Sequence, residues 1–207
     1  MTAALHQAAA RLLTYPDSGL YGQLPLLRSV VDAERGQAAD SLTSFLTHAE
    51  ATPQAELARH YVKTFDFKNR RCLYLTWWTD GDTRRRGMAL VHIKQAYRAA
   101  GLEYTDADGE LPDFLPAVLE FTARAGDTTL LQEHRPGLEL LRLSLTECGT
   151  PYAQILQSVC RTLPGASPKD MEAARAMARK GPPREDVGLT PYGRELPLLP
   201  VSPGAPR

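Results

Sequence analysis

No cysteine pair, no long apolar run and no excess charge of either sign marks this 207-residue chain, and each absence excludes something. The three cysteines, Cys72, Cys148 and Cys160, are odd in number, widely spaced and never in a CxxC arrangement. They read as ordinary thiols in a reducing cytoplasm rather than a disulfide framework or a zinc site. No stretch approaches the ~18 apolar residues that a membrane-spanning helix needs. The opening segment, MTAALHQAAARLLTYP, has no basic start, apolar centre and cleavage site in sequence, so it is not expected to be a secretion signal. Basic and acidic residues balance at 24 each. A dedicated nucleic-acid binder would carry a basic excess.

Catalytic signatures are missing too. There is no phosphate-binding GxxxxGK[ST] loop, no GxGxxG, no HExxH and no GxSxG. The histidines at 6, 48, 60, 92 and 134 fall at no metal-ligand spacing. His134 lies on an apolar stripe, where a hydrogen-bonded core histidine is the ordinary occupant, and His60 and His92 read as boundary or surface residues. The expectation is therefore a non-enzyme with no catalytic residue, no metal site and no cofactor of its own.

What is present is helical periodicity almost throughout, which predicts an all-α, single compact domain of many helices. Leu5, Ala8, Ala9, Leu12 and Leu13 form one face, stopped at Tyr15-Pro16. Asp17 or Ser18 can cap a second helix with Leu20, Leu24, Leu27, Val30 and Val31 inward, and Pro25 within that pattern implies a kink or a later start. A third helix over residues 38–49 buries Leu42, Phe45 and Leu46. A fourth follows Thr52-Pro53 with Leu57, Tyr61, Val62 and Phe65. Asp82 is expected to cap a helix running to about Ala100, closed by Gly101, and Asp113 to cap one carrying Pro116 in its first turn. Leu131, His134, Leu138, Leu141 and Leu145 step by three and four, with Pro136 interrupting early. Pro151 starts another amphipathic helix. The domain is expected to span residues 1–165. Residues 166–207 read as a weak charged helix over 168–180 and then a tail with seven prolines, expected to be disordered in isolation.

The most distinctive stretch is YVKTFDFKNRRCLYLTWWTDGDTRRRGM, residues 61–88. Aromatics and paired charges at this density fit a protein-binding surface better than an active site. Cys72 to Trp78 has strand propensity but no visible partner strand, so a short helix or ordered segment is expected. Trp77 and Trp78 are adjacent and cannot both point the same way; core and groove readings both stay open. Arg84, Arg85 and Arg86 sit in a helix's first turn, where each exposed cation costs about 0.3–1 kcal/mol against the helix dipole. A network fixing the loop, with Asp80 and Asp82, would offset this, and an anionic ligand is the other reading. Glu110 and Asp113, in ELPDFLP, place two carboxylates at a helix start, either as solvated residue and cap, or as part of a groove for a basic peptide, or as partners of the arginine cluster.

Three segments together, YVKTFDF, LYLTWWTDGDTRRRGMALVHIKQAYRAAGLEY and ELPDFLPAVLEF, resemble the NarJ family. These are the molybdenum-cofactor assembly chaperones, or delta subunits, of respiratory nitrate reductase, within the wider TorD/DmsD-like redox-enzyme maturation chaperones. The resemblance covers residues 1–165 and is strongest over 61–121. It implies a cytoplasmic chaperone, monomeric or weakly dimeric and without stable membrane insertion. It implies binding of the N-terminal segment of the nitrate reductase catalytic (alpha) subunit while molybdenum cofactor and an iron–sulfur cluster are inserted. The wider group's acidic-Pro-Asp-His motif matches here at Glu110, Pro112 and Asp113, with Phe114 in the histidine position, so a proton-dependent role does not carry over. Client-peptide contacts are accordingly expected at Tyr74, Trp77, Trp78, Glu110, Pro112, Asp113 and Phe114. Rival readings are a chaperone of another molybdoenzyme, and a nucleotide or molybdopterin carrier using Arg84 to Arg86.

Overall fold

The computed structural model describes residues 2–67, 71–105, 109–166 and 168–183, and everything structural below concerns those residues. They form helices α1 (Thr2–Leu12), α2 (Ser18–Asp32), α3 (Gln37–Ala51), α4 (Gln54–Phe65), α5 (Leu75–Asp80), α6 (Arg84–Ala99), α7 (Leu115–Ala125), α8 (Thr129–Glu133), α9 (Arg135–Glu147), α10 (Ala153–Thr162) and α11 (Pro168–Lys180). The fold is all-α. No helix among the described residues is long and apolar enough to cross a membrane.

Alanine decides the centre. Ala8, Ala9 and Ala10 of α1 are buried, and such small side chains let a second helix approach closely; α1 packs most extensively on α7. α2, α3 and α10 close around the same helix. α3 lays Leu42, Phe45 and Leu46 on the α10 face that carries Ile155, Leu156 and Val159. Each such large apolar side chain contributes about 1.5–3 kcal/mol on full burial.

The helix ends follow local chemistry, with two exceptions. Asp17 accepts the Leu20 amide at 2.8 Å, so α2 starts at Ser18 and runs through Pro25, which sits on its exposed face. Pro136 divides α8 from α9 at His134, and Gly126 closes α7 in the left-handed conformation at φ 69°. The exceptions concern Asp82 and Asp113. Thr83, not Asp82, occupies the N-cap position of α6, and Phe114, not Asp113, that of α7; neither side chain makes a capping bond.

His6 pins three helices together. Its Nε2 lies 2.7 Å from Thr162 Oγ1 of α10 and its Nδ1 2.8 Å from Thr122 Oγ1 of α7. Burial lowers its pKa to about 4. The sign follows directly: the unfolded chain, with an ordinary histidine near 6.5, binds the proton more readily than the folded one. Stability contributed by the neutral ring is complete above about pH 6.5 and is lost as pH falls toward 4, by up to about 3 kcal/mol. A His6→Gln variant should flatten that part of the pH–stability curve in urea titrations. An unchanged slope would assign the acid lability to other groups.

Candidate functional site

The strand-like residues after Cys72 do find a partner, but it is a loop. Tyr74 and Phe114 form an isolated antiparallel bridge: Leu75 N–H donates to Asp113 O at 3.0 Å and Leu115 N–H to Leu73 O at 2.8 Å. This clasp joins the start of α5 to the start of α7. It brings together the two segments that are most distinctive in sequence.

Asp113 lies beneath the clasp, fully buried. Its Oδ2 accepts the Thr76 amide at 3.1 Å and the Thr76 hydroxyl at 2.6 Å. Thr76 is the second residue of α5, so Asp113 caps that helix across the clasp instead of capping α7. The Arg86 guanidinium approaches the same oxygen at 3.6 Å and donates from Nε to Thr76 Oγ1 at 3.2 Å. It also lies over the Tyr74 ring at 5.5 Å and the Trp77 ring at 5.8 Å. Of the three arginines, Arg86 turns inward, while Arg84 and Arg85 are exposed. Asp82 is exposed as well. Asp80 is half-buried, accepts from Thr79 Oγ1 at 2.7 Å, and offers its carbonyl to Thr83 Oγ1. Asp113 is thus placed as an internal anchor of the clasp, with Oδ2 engaged by Thr76 and Arg86 and Oδ1 buried without a hydrogen-bond partner among the described residues. Pro112 is buried beside it.

Three tyrosines hold the loop ahead of Asp113. Tyr97 Oη donates to Pro112 O at 2.8 Å, Tyr104 Oη to Glu110 O at 2.6 Å, and Tyr74 Oη to the Glu110 carboxylate. Burial, and then the Glu110 carboxylate, push the Tyr74 phenol up, so it remains a donor. Glu110 thereby stays at the surface in a defined position.

Beside Glu110 opens a cavity of about 500 Å³. Its walls are aromatic: Tyr15 from the α1–α2 turn, Tyr61 and Phe65 from α4, and Tyr74 and Phe114 from the clasp. The rings brace one another, Tyr15 edge-on to Tyr61 at 5.8 Å, Tyr61 against Phe65 at 4.8 Å, and Tyr74 against Phe114 at 5.4 Å. Asp17, Asp66 and Glu110 supply carboxylates at its border, and Arg11 a cation. Burial pushes the Cys72 thiol up, which suits a wall residue and not a nucleophile. Of the residues singled out in sequence, Tyr74, Glu110 and Phe114 line this cavity. Trp77 and Trp78 do not; they face α9 and α11. Tyr15, Asp17 and Asp66 were not recognisable as site residues, because each reads locally as a helix stop, a cap or a helix end. Among the described residues no cluster of three His, Cys, Asp or Glu side chains is arranged to hold a metal ion.

The family model for "Nitrate reductase delta subunit" matches residues 29–157, more than half of the chain. The chain belongs to the nitrate reductase delta subunit family. The probable nitrate reductase molybdenum cofactor assembly chaperone NarJ of Bacillus subtilis is 32% identical over 161 residues, covering 75% of this chain and 86% of that protein. The Escherichia coli K12 chaperone of the same name is 27% identical over 172 residues, covering 80% and 72%. The nitrate reductase-like protein NarX of Mycobacterium tuberculosis is 40% identical over 159 residues; the chain spans 24% of its length. A crystal structure of a candidate redox enzyme maturation protein from Archaeoglobus fulgidus shares the fold, with TM-score 0.59 at 19% identity over 78% of this chain and 93% of that one. The family match contains the whole clasp and most of the cavity wall, and it ends before α11.

Proposed function

We propose that this protein is a cytoplasmic assembly chaperone of a molybdenum-containing nitrate reductase. It binds the N-terminal segment of the catalytic subunit and holds that subunit open for molybdenum cofactor and iron–sulfur cluster insertion before membrane docking. It is not an enzyme: its NarJ relatives are named as assembly chaperones. The observation that carries the reading is the cavity at the clasp. Five aromatic rings offer an apolar wall for one face of a helical peptide, and Asp17, Asp66 and Glu110 offer charge to its basic residues. Glu110 is the best placed, because Tyr74 and Tyr104 fix it from either side. The client must leave after maturation, so moderate affinity from a partly open groove suits the task.

Calorimetric titration tests this. A peptide of the catalytic subunit's N-terminus should bind, and a leader from an unrelated molybdoenzyme should bind at least tenfold more weakly. Glu110→Gln should weaken binding about three- to tenfold at low salt, and much less at 0.5 M salt, as expected for a partly exposed charge pair worth roughly 1 kcal/mol. Tyr74→Ala should cost more than tenfold at either salt concentration, because it removes wall area. Equal binding of both peptides would sink the client assignment. Unchanged affinity in both variants would place the groove elsewhere.

A further inference from the structure

Trp77 and Trp78 belong to a second, smaller apolar cluster, separate from the main core. Trp78 is 4% exposed and packs with Leu140 of α9 and Ala174 of α11, flanked by Trp77 and Met177. Gly137 of α9 faces the Trp78 ring, where an added Cβ would lie 3.5 Å away. From α11, the side chains against this surface are small or flexible. Six of the thirteen residues of that helix are charged, four basic and two acidic. A helix of this length is marginal alone in water, so α11 depends on its packing against α9.

Two observations mark the contact as incomplete. About 550 Å³ remains unfilled between α9 and α11. Both indole N–H groups are buried and have no acceptor, since Ala174 and Met177 offer none. Buried donors without partners are uncommon enough in folded proteins to need a reason. Beyond α11 the chain is anchored again, by Asp82 N–H donating to Pro183 O at 3.3 Å across Gly81. A side chain at position 81 would collide with that carbonyl, at 1.8 Å. The helix is thus seated in a groove, with a tether beyond its C-terminal end and unfilled space along its contact face.

We propose that the groove between α5 and α9 is a helix-binding site, that α11 is its resident occupant, and that a basic amphipathic helix of a partner protein displaces α11 there. The partner helix carries alanine or methionine at a spacing of three and an acceptor side chain, such as glutamine, for the indoles. Basic character follows from the lining of the gap: Glu147 of α9 shares it with Arg175, Arg179 and Lys180 of α11, and the carboxylate stays behind when α11 leaves. This site is separate from the aromatic cavity at Glu110, and the inference does not depend on which client is served.

The only two tryptophans of the chain report on the groove directly. In the full-length protein, Ala174→Asp should release α11. Tryptophan emission should shift to the red while far-UV circular dichroism loses no more than one helix. A labelled peptide of residues 168–180 should then bind the variant at least tenfold more tightly than wild type, and return the emission toward the blue. Unshifted emission, or peptide affinity no better than for wild type, overturns the proposal. Hydrogen exchange on the unmodified protein covers the case in which the variant unfolds. α11 amides should exchange at least a hundredfold faster than those of α9 and α10, and exchange of all three at one rate makes α11 ordinary core. Binding of the catalytic-subunit peptide to Ala174→Asp should be unchanged, which keeps the two sites' tests apart.

Discussion

Asp113→Ala is expected to destabilise the protein by roughly 3–5 kcal/mol, the usual cost of removing one partner from a buried charged pair. Two losses combine. The Thr76 amide and hydroxyl both donate to Asp113 Oδ2, and with the carboxylate gone α5 loses its only side-chain cap in a site with no solvent access. Arg86, drawn inward to 3.6 Å from that oxygen, is left without a counter-charge beneath the Tyr74 and Trp77 rings. Asp113→Asn keeps the shape and one acceptor oxygen, so about 1–3 kcal/mol is expected. In urea denaturation the Arg86→Met, Asp113→Asn double variant should cost less than the sum of the two single changes. Additivity would show that the two residues act independently. A loss below 1 kcal/mol for Asp113→Ala would show that the clasp does not depend on its anchor. Peptide affinity should fall along with stability, because the clasp carries Tyr74 and Phe114 into the cavity wall.

Tyr152→Ala should cost about 3–5 kcal/mol, as large-to-small changes of buried aromatic residues do. Tyr152 is fully buried, with ring centroids of Phe45, Phe65, Tyr61 and His60 at 4.9, 5.0, 5.8 and 5.9 Å. It joins α3 and α4 to α10 and stands directly behind Tyr61 and Phe65, which line the cavity. Tyr152→Phe separates the ring from the hydroxyl. The hydroxyl has no hydrogen-bond partner, and burial pushes its pKa up, so no charge or donor function is at stake. Tyr152→Phe should therefore be neutral or stabilising by up to about 1 kcal/mol, and should leave peptide binding intact. Thermal melts of the pair decide this. A strongly destabilised Tyr152→Phe would reveal a hydroxyl partner, such as an ordered water.

Much of the helical architecture is legible in one dimension. Leu131, His134, Leu138, Leu141 and Leu145 step at the helical period, and Pro136 divides them where the helices part. Pro16, Pro53, Pro151 and the glycines at 101 and 126 punctuate other ends. These signals are local: backbone hydrogen bonds and the apolar face belong to the same few turns, so a single segment carries its own evidence. The proline-rich stretch past Pro183 lies outside the described residues.

Asp113 shows where local reading stops. By sequence it is a helix cap, and a helix cap it is, but of α5 and not of the helix that follows it. The spare donors of α5 could be satisfied by any acceptor that tertiary packing delivered, and a loop 37 residues further on delivered it. The strand-like Cys72–Trp78 segment behaves in the same way, since its bridge partner is too short to read as a strand. Trp77 and Trp78 required the structure for a similar reason. Which face of a six-residue helix meets α9 and which meets solvent depends on the third helix, α11, and not on the pair itself. The sequence alone thus determined the fold class, most helix limits and, through three ordered segments, the family. Tertiary structure decided which carboxylate faces solvent: Glu110 is held at the cavity's edge by tyrosines, and Asp113 is enclosed by Thr76 and Arg86. Burial is a property of neighbours distant in the chain, and two carboxylates three residues apart carry no local sign of which one will be covered.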